Sequence, residues 1–177
     1  TFERQARQIE DVLTFLIKQN AVDVQRIGLI AQSCGAPSTL LTELSGIKSL
    51  LFISGAFNTY ANLKRKFIEK NAYNSNGISY YRRSNGKVDP IGSDFWKVLA
   101  SYNEIKQAKK LTMPVFLATG DRDSYVYPED AKCIYEAIPH KNKRLKVYPG
   151  GDHGLTKPVQ VRAKFLHEVV EWFDKTL

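Results

Sequence analysis

The sequence predicts an α/β fold: a mainly parallel sheet with flanking helices and an inserted helical lid. Three observations predict it. Short apolar runs at 26–31, 49–54, 114–118 and 144–148 alternate with stretches whose apolar residues recur at helical spacing, the pattern of parallel strands joined by helices. The first, third and fourth of these runs are followed by turns of small and polar residues: Ser33-Cys34-Gly35, Gly120-Asp121-Arg122-Asp123 and Gly150-Gly151-Asp152-His153. Between residues 58 and 110 the alternation stops and the chain becomes rich in Asn, Ser, Lys and Tyr. A structureless loop of that length is unusual, so the segment reads as a lid with short helices of its own, at 63–71 and 95–108. The core is expected to comprise residues 1–57 and 111–177.

Each element has a local reason. Phe2, Ala6, Ile9, Leu13 and Leu16 make one apolar stripe over residues 1–18, widened by Val12 and Ile17. Thr1 suits its N-cap and Asn20 a left-handed stop. The run 26–31 is the first strand, and a helix then continues to Leu44. Pro37 falls in its first turn, where the missing N–H costs nothing, and Gly46 closes it. Residues 49–54 are apolar almost without break, as expected of a strand covered on both faces. After the lid come a strand at 114–118, a helix at 128–138 that opens on Pro128, a strand at 144–148 and an amphipathic helix at 158–176.

Composition narrows the functional classes. At 177 residues the chain can bury a proper core, and no apolar run approaches the length of a membrane span. The chain begins at Thr1 and its one methionine is Met113, so a piece of a larger protein is expected, with a processed segment as the alternative. The formal charge of +8 is concentrated: residues 58–110 hold eleven Lys and Arg against four Asp and Glu, and the rest is nearly balanced. Runs such as Lys64-Arg65-Lys66 and Arg82-Arg83 read first as a solvated face and second as a surface for anionic ligands. No nucleic-acid-binding motif accompanies them. Cys34 and Cys133 are expected to be small, buried and reduced, not bridged.

The chemistry is organised around Ala31-Gln32-Ser33-Cys34-Gly35. A strand ends here, a serine stands at the apex of a tight turn, and a helix follows. This is the context of a G-x-S-x-G nucleophile elbow with Ala in place of the first Gly. Small residues two before and two after the serine are required because a large side chain would strike the strand or helix opposite. The Cys34 N–H, at the helix start, points to where an oxyanion would form. Cys34 itself suits the nucleophile less well, because Gln32 and Ala36 would then occupy the tight flanks. In a parallel sheet all strand C-termini share one edge. Ser33, Asp123 and His153 therefore fall on that edge in the order Ser, Asp, His. Asp121, nearer its strand end, reads as a turn former, and Asp152 as a residue that shapes its loop. His140 at a helix end and His167 within a helix are not preferred.

With these three sites in place the chain resembles the C-terminal half of the α/β-hydrolase superfamily. The resemblance covers essentially the whole chain. It implies a serine hydrolase acting on carboxylic esters or related acyl bonds, with Ser33 as nucleophile, His153 as general base and acid, and Asp123 as the carboxylate orienting His153. The Cys34 N–H would be one oxyanion donor, and no cofactor or metal is implied. The family's first four strands, with the loop that supplies a second oxyanion donor, would precede Thr1. The resemblance thus implies a weakly active or inactive isolated chain with an open edge at residues 26–31. The partner implied is a small-molecule acyl substrate, with no nucleic acid and no membrane span, and the expected location is cytoplasmic. The lid resembles those of acyl esterases, lipase-like enzymes and serine aminopeptidases. Aminopeptidase-like or thioesterase activity, and a non-catalytic binding protein retaining the fold, are the rival readings.

Overall fold

The computed structural model describes residues 1–83 and 85–177. Its elements are α1 (Phe2–Ile17), β1 (Gly28–Gln32), α2 (Gly35–Leu41), β2 (Ser49–Ile53), α3 (Thr59–Glu69), β3 (Ser79–Arg82), β4 (Val88–Ile91), α4 (Ser93–Ser101), α5 (Glu104–Ala108), β5 (Val115–Gly120), α6 (Pro128–Ala137), β6 (Lys143–Tyr148) and α7 (Val159–Thr176). They form two compact units, Thr1–Phe57 with Glu104–Leu177, and Asn58–Asn103. The boundary expected at 110/111 differs because α5 packs against α2 and α6 of the first unit.

The first unit is built on a four-stranded sheet of order β1-β2-β5-β6, parallel at every pairing. Burial follows strand position. The central strands are sequestered on both faces: Leu50, Leu51, Phe52, Val115, Phe116, Leu117 and Ala118 expose at most 2% of their surface. On one face Leu51, Phe116 and Ala118 join Tyr148, Leu155 and, from α7, Phe165 and Trp172 in a continuous core. β1 and β6 end the sheet and are more exposed. Ile30 on β1 remains half-exposed. Among the described residues no helix is long and apolar enough to cross a membrane.

Several local expectations change in three dimensions. α1 is capped by Thr1, whose hydroxyl accepts from the Arg4 N–H at 3.4 Å, but it ends at Lys18 in right-handed geometry, and Asn20 has no part in the stop. Only Ala6 and Leu13 of its stripe are buried; Val12 and Ile17 face outward. α2 stops at Leu41, short of Leu44, because Thr42 is already extended. Its face is fixed instead by Ser38, whose hydroxyl donates to Gln5 Oε1 of α1 at 2.6 Å. Cys34 and Cys133 are unbridged, but exposed and not buried.

The second unit is not wholly helical. β3 and β4 pair antiparallel, Ser79 opposite Ile91 and Arg82 opposite Val88. Four-residue strands, one interrupted by Pro90, carry too little alternation to register as strands. Helicity at 95–108 divides into α4 and α5, since Tyr102 is extended. A small aromatic core holds the unit together. Trp96 meets Phe67, Tyr73 and Phe95 edge-on, and Phe67 stacks on Tyr81 at 5.3 Å. The buried Ser79 hydroxyl accepts from the Trp96 indole at 3.1 Å and from the Asn74 N–H at 2.9 Å. Some of the basic residues make contacts within the unit. Lys64 lies over the rings of Tyr60 and Tyr73, Arg65 faces Glu69, and Arg83 pairs with Asp89.

β6 and α7 are joined by a buried carboxylate. Glu168 accepts from Arg144 at 2.6 Å, from the Tyr148 hydroxyl at 2.9 Å, and from Lys146. Burial pushes its carboxyl up, but the Lys146 and Tyr148 hydrogen bonds and the Arg144 charge outweigh that and hold it below the usual value. Burial and the same carboxylate push the Tyr148 hydroxyl up. Removing the negative charge by Glu168→Gln leaves two cations facing each other. The expected loss is about 2–3 kcal/mol, below the figure of about 3–5 for a fully buried pair because Arg144 and Lys146 reach solvent. A carboxyl lowered by folding stabilises above its unfolded value, near 4.3, and that stability is lost as pH falls through the folded value. Urea melts at neutral pH should show the loss, and the wild-type advantage should vanish in acid.

Candidate active site

β1 delivers Ser33 in strained backbone. Its φ is +51°, a left-handed value that a non-glycine residue adopts only when its surroundings impose it. Here they do. The Ser33 N–H donates to Ile53 O at 3.0 Å, and the Ser33 carbonyl accepts from the N–H groups of Ala36 and Ala56, both at 3.0 Å. The turn is gripped on both sides, and the hydroxyl is turned out at the C-terminal edge of the sheet. The Cys34 N–H donates to no acceptor among the described residues. α2 is only two turns long, so this N–H offers a single donor with little helix dipole behind it.

The Gly35 flank has room for a methyl group, which is within the small residues that the turn is expected to accept. A methyl group at Gly35 would meet the Ala31 methyl at 3.9 Å, ordinary contact. Gly35→Ala is therefore expected to fold, with stability unchanged or raised by up to about 1 kcal/mol through helix propensity. Thermal melts test this directly. Gly120 is the glycine that allows no replacement, because a Cβ there would lie 2.1 Å from Gly151 O. That close approach lets the ends of β5 and β6 meet. The Asp121 N–H donates to Tyr148 O at 3.3 Å, and the Arg122 N–H to Gly151 O at 3.0 Å.

Three aspartates stand at these strand ends, and the fold gives each a different partner. Asp121 Oδ1 accepts from the Gly150 N–H at 2.6 Å, clamping one loop to the other. Asp152 closes its own loop, accepting from the Thr156 hydroxyl at 2.8 Å and from the N–H groups of Thr156 and Lys157 at 2.7 and 3.1 Å. The Thr156 hydroxyl in particular holds its carboxyl below the usual value. Asp123, whose side chain is wholly buried, turns inward. Its Oδ1 accepts from the N–H groups of Tyr125 and Val126 at 2.7 and 3.2 Å, and its Oδ2 lies 2.8 Å from His153 Nδ1. Burial alone would raise this carboxyl. The His153 hydrogen bond, followed by the two backbone donors, reverses that and lowers it.

His153 completes the line. Its Nε2 is 3.0 Å from Ser33 Oγ. β1 and β6 are three strand spacings apart, roughly 14 Å at ~4.8 Å each. The loop after β6 must therefore run back across the ends of β5 and β2. Leu155 anchors it in the core, fully buried with φ +53°. Ser33, His153 and Asp123 are thus brought into one hydrogen-bonded chain. Cys34 sits beside it, while Asp121 and Asp152 serve the loops. His140 and His167 lie outside it: His140 bonds locally to Asn142, and His167 faces Glu171 along α7. An imidazole between a buried carboxylate and a hydroxyl can take the hydroxyl proton and return it to another oxygen or nitrogen. Among the described residues, no group of three or more His, Cys, Asp or Glu is placed to hold a metal ion.

Comparison with known proteins places this geometry in context. A hydrolase family model described as serine aminopeptidase, S33, matches residues 95–158, a stretch that includes Asp123 and His153. The chain is 35% identical over 68 residues to a caffeoylshikimate esterase of Arabidopsis thaliana, a match covering 37% of this chain and 20% of that protein. The matched region is thus about a fifth of the relative's length. A monoacylglycerol lipase of Paleococcus ferrophilus superposes with a TM-score of 0.70 at 18% identity, over 100% of this chain and 76% of that one. The ferulic acid-bound structure of Est1E from Butyrivibrio proteoclasticus superposes with a TM-score of 0.72 at 20% identity, over 98% and 70%.

Proposed function

We propose that this chain, which has the α/β-hydrolase fold, carries the catalytic residues of a serine hydrolase that cleaves carboxylic esters through an acyl-enzyme. The observation that carries the reading is the unbroken contact from Asp123 to His153 to Ser33, at 2.8 and 3.0 Å. In the first half-reaction His153 Nε2 takes the Ser33 proton as Oγ attacks the ester carbonyl carbon. The carbonyl electron pair moves onto oxygen, where the Cys34 N–H donates to it. The imidazolium, stabilised by Asp123, gives the proton to the alkoxide as the C–O bond breaks. Alcohol leaves, and the acyl group stays on Ser33. Water repeats the sequence: His153 takes its proton, the hydroxide adds to the acyl carbon, and the returned proton frees Ser33 and the acid.

Ester chemistry is supported by the esterase and lipase relatives. Aromatic acyl groups are favoured as substrates, because two of the similar proteins are named for or bound to hydroxycinnamic compounds. The family description favours a second reading, release of an amino-terminal residue from a peptide. A panel of aryl esters and aminoacyl arylamides, assayed on the full-length protein, separates the two. Preferential ester turnover supports the first reading, and turnover of arylamides alone overturns it. A fluorophosphonate probe, which phosphonylates an activated serine with loss of fluoride, is expected to label Ser33. Absence of labelling in folded protein would favour a binding protein.

A further inference from the structure

We propose that Tyr125 is the positioning residue for His153, an inference that rests on the catalytic reading above. The imidazole is held by its Cβ–Cγ bond and by the hydrogen bonds at Nδ1, to Asp123, and at Nε2, to Ser33. Tyr125 adds a packing contact to the ring itself. Its ring centroid is 5.0 Å from that of His153, with the planes inclined by 56°. The same residue's N–H holds Asp123 Oδ1 at 2.7 Å. One residue therefore fixes the carboxylate through its backbone and the imidazole through its ring.

Exposure separates this role from a structural one. Tyr125 is 52% exposed, whereas its neighbour Val126 is 5% exposed and anchors the turn. Removing the Tyr125 ring leaves the core and both backbone hydrogen bonds to Asp123 in place. The contact matters most when the imidazole has taken the serine proton and carries positive charge. An aromatic ring 5.0 Å away then interacts with that charge, and both half-reactions pass through that state. The benefit belongs to the transition state, so it should appear in kcat and not in KM.

The test is a comparison of Tyr125→Ala and Tyr125→Phe in the full-length protein, with Ser33→Ala alongside. Tyr125→Ala is expected to lower kcat and the rate of fluorophosphonate labelling about tenfold, the scale of one aromatic contact, with KM within about twofold. Tyr125→Phe should keep both rates. The proton spectrum should show the ring-current displacement of the His153 Hε1 signal lost in Tyr125→Ala and kept in Tyr125→Phe. Unchanged kcat in Tyr125→Ala, a loss confined to KM, or an equal loss in Tyr125→Phe would each overturn the proposal. If Ser33→Ala is dead while Tyr125→Ala runs at the wild-type rate, only the role of Tyr125 fails. If Ser33→Ala still turns over ester, the catalytic reading itself fails.

Discussion

Ser33→Ala is expected to reduce ester turnover by on the order of 10⁴–10⁶ and to abolish fluorophosphonate labelling. The size follows from the roles proposed for the three side chains. His153 Nε2 faces one hydroxyl, at 3.0 Å, and without it the imidazole has no nucleophile to activate. Whatever rate persists must come from water and from the remaining oxyanion donor. The fold should survive. The three backbone hydrogen bonds that grip residue 33 involve no side-chain atom, and alanine meets the same left-handed cost as serine. Circular dichroism and melting temperature control for this. Retained turnover would remove Ser33 from the mechanism. Labelling that passed to Cys34, which is exposed next to it, would make the thiol the nucleophile.

Asp123→Asn should cost about 10⁴ in kcat, the loss measured when a triad aspartate becomes an amide. The amide can still present an oxygen to the Tyr125 and Val126 N–H groups, so the turn keeps its shape. Its nitrogen then faces His153 Nδ1 and donates to it. That fixes the proton on Nε2, where the ring cannot accept from Ser33. Asp121→Asn should cost less than about tenfold, since an amide oxygen can accept from the Gly150 N–H as the carboxylate does. A larger kcat loss at Asp121 than at Asp123 would transfer the orienting role. The folded structure holds Asp123 below the usual carboxylate value, so its charge persists through neutral and mildly acid pH. Activity at mildly acid pH is therefore not expected to be limited by protonation of Asp123.

Local pattern was sufficient for most of the parallel core. β2 could be read as a doubly covered strand because Ser49 to Ile53 is nearly all apolar, and the amphipathic α7 was legible from period alone. The turn at Ser33 was legible for a similar reason: strand, small residues and helix adjoin in sequence, so their geometry is local. β3 and β4 were not. They are held by pairing with each other and by Tyr81 packing on Phe67, neither of which a four-residue window contains. The exposure of Cys34 and Cys133, and the early end of α2, likewise depend on what the rest of the chain covers.

The sequence by itself determined which chemical groups arrive at the strand ends: a hydroxyl after β1, carboxylates after β5 and an imidazole after β6. Order along the chain and the family resemblance pointed to Ser33, Asp123 and His153, but the contacts between them are made by the fold. Ser33 and His153 are 120 residues apart in sequence, and they touch only because the loop after β6 doubles back over the sheet. Asp121 and Asp123, two residues apart, differ because one faces the Gly150 N–H and the other is enclosed against His153. Tyr125, a residue without any motif, is set beside the imidazole only by the fold. The physical reason is common to all three. Side-chain type is a property of the chain, whereas burial, hydrogen-bond partner and charge state are set by neighbours that only the folded sheet brings together.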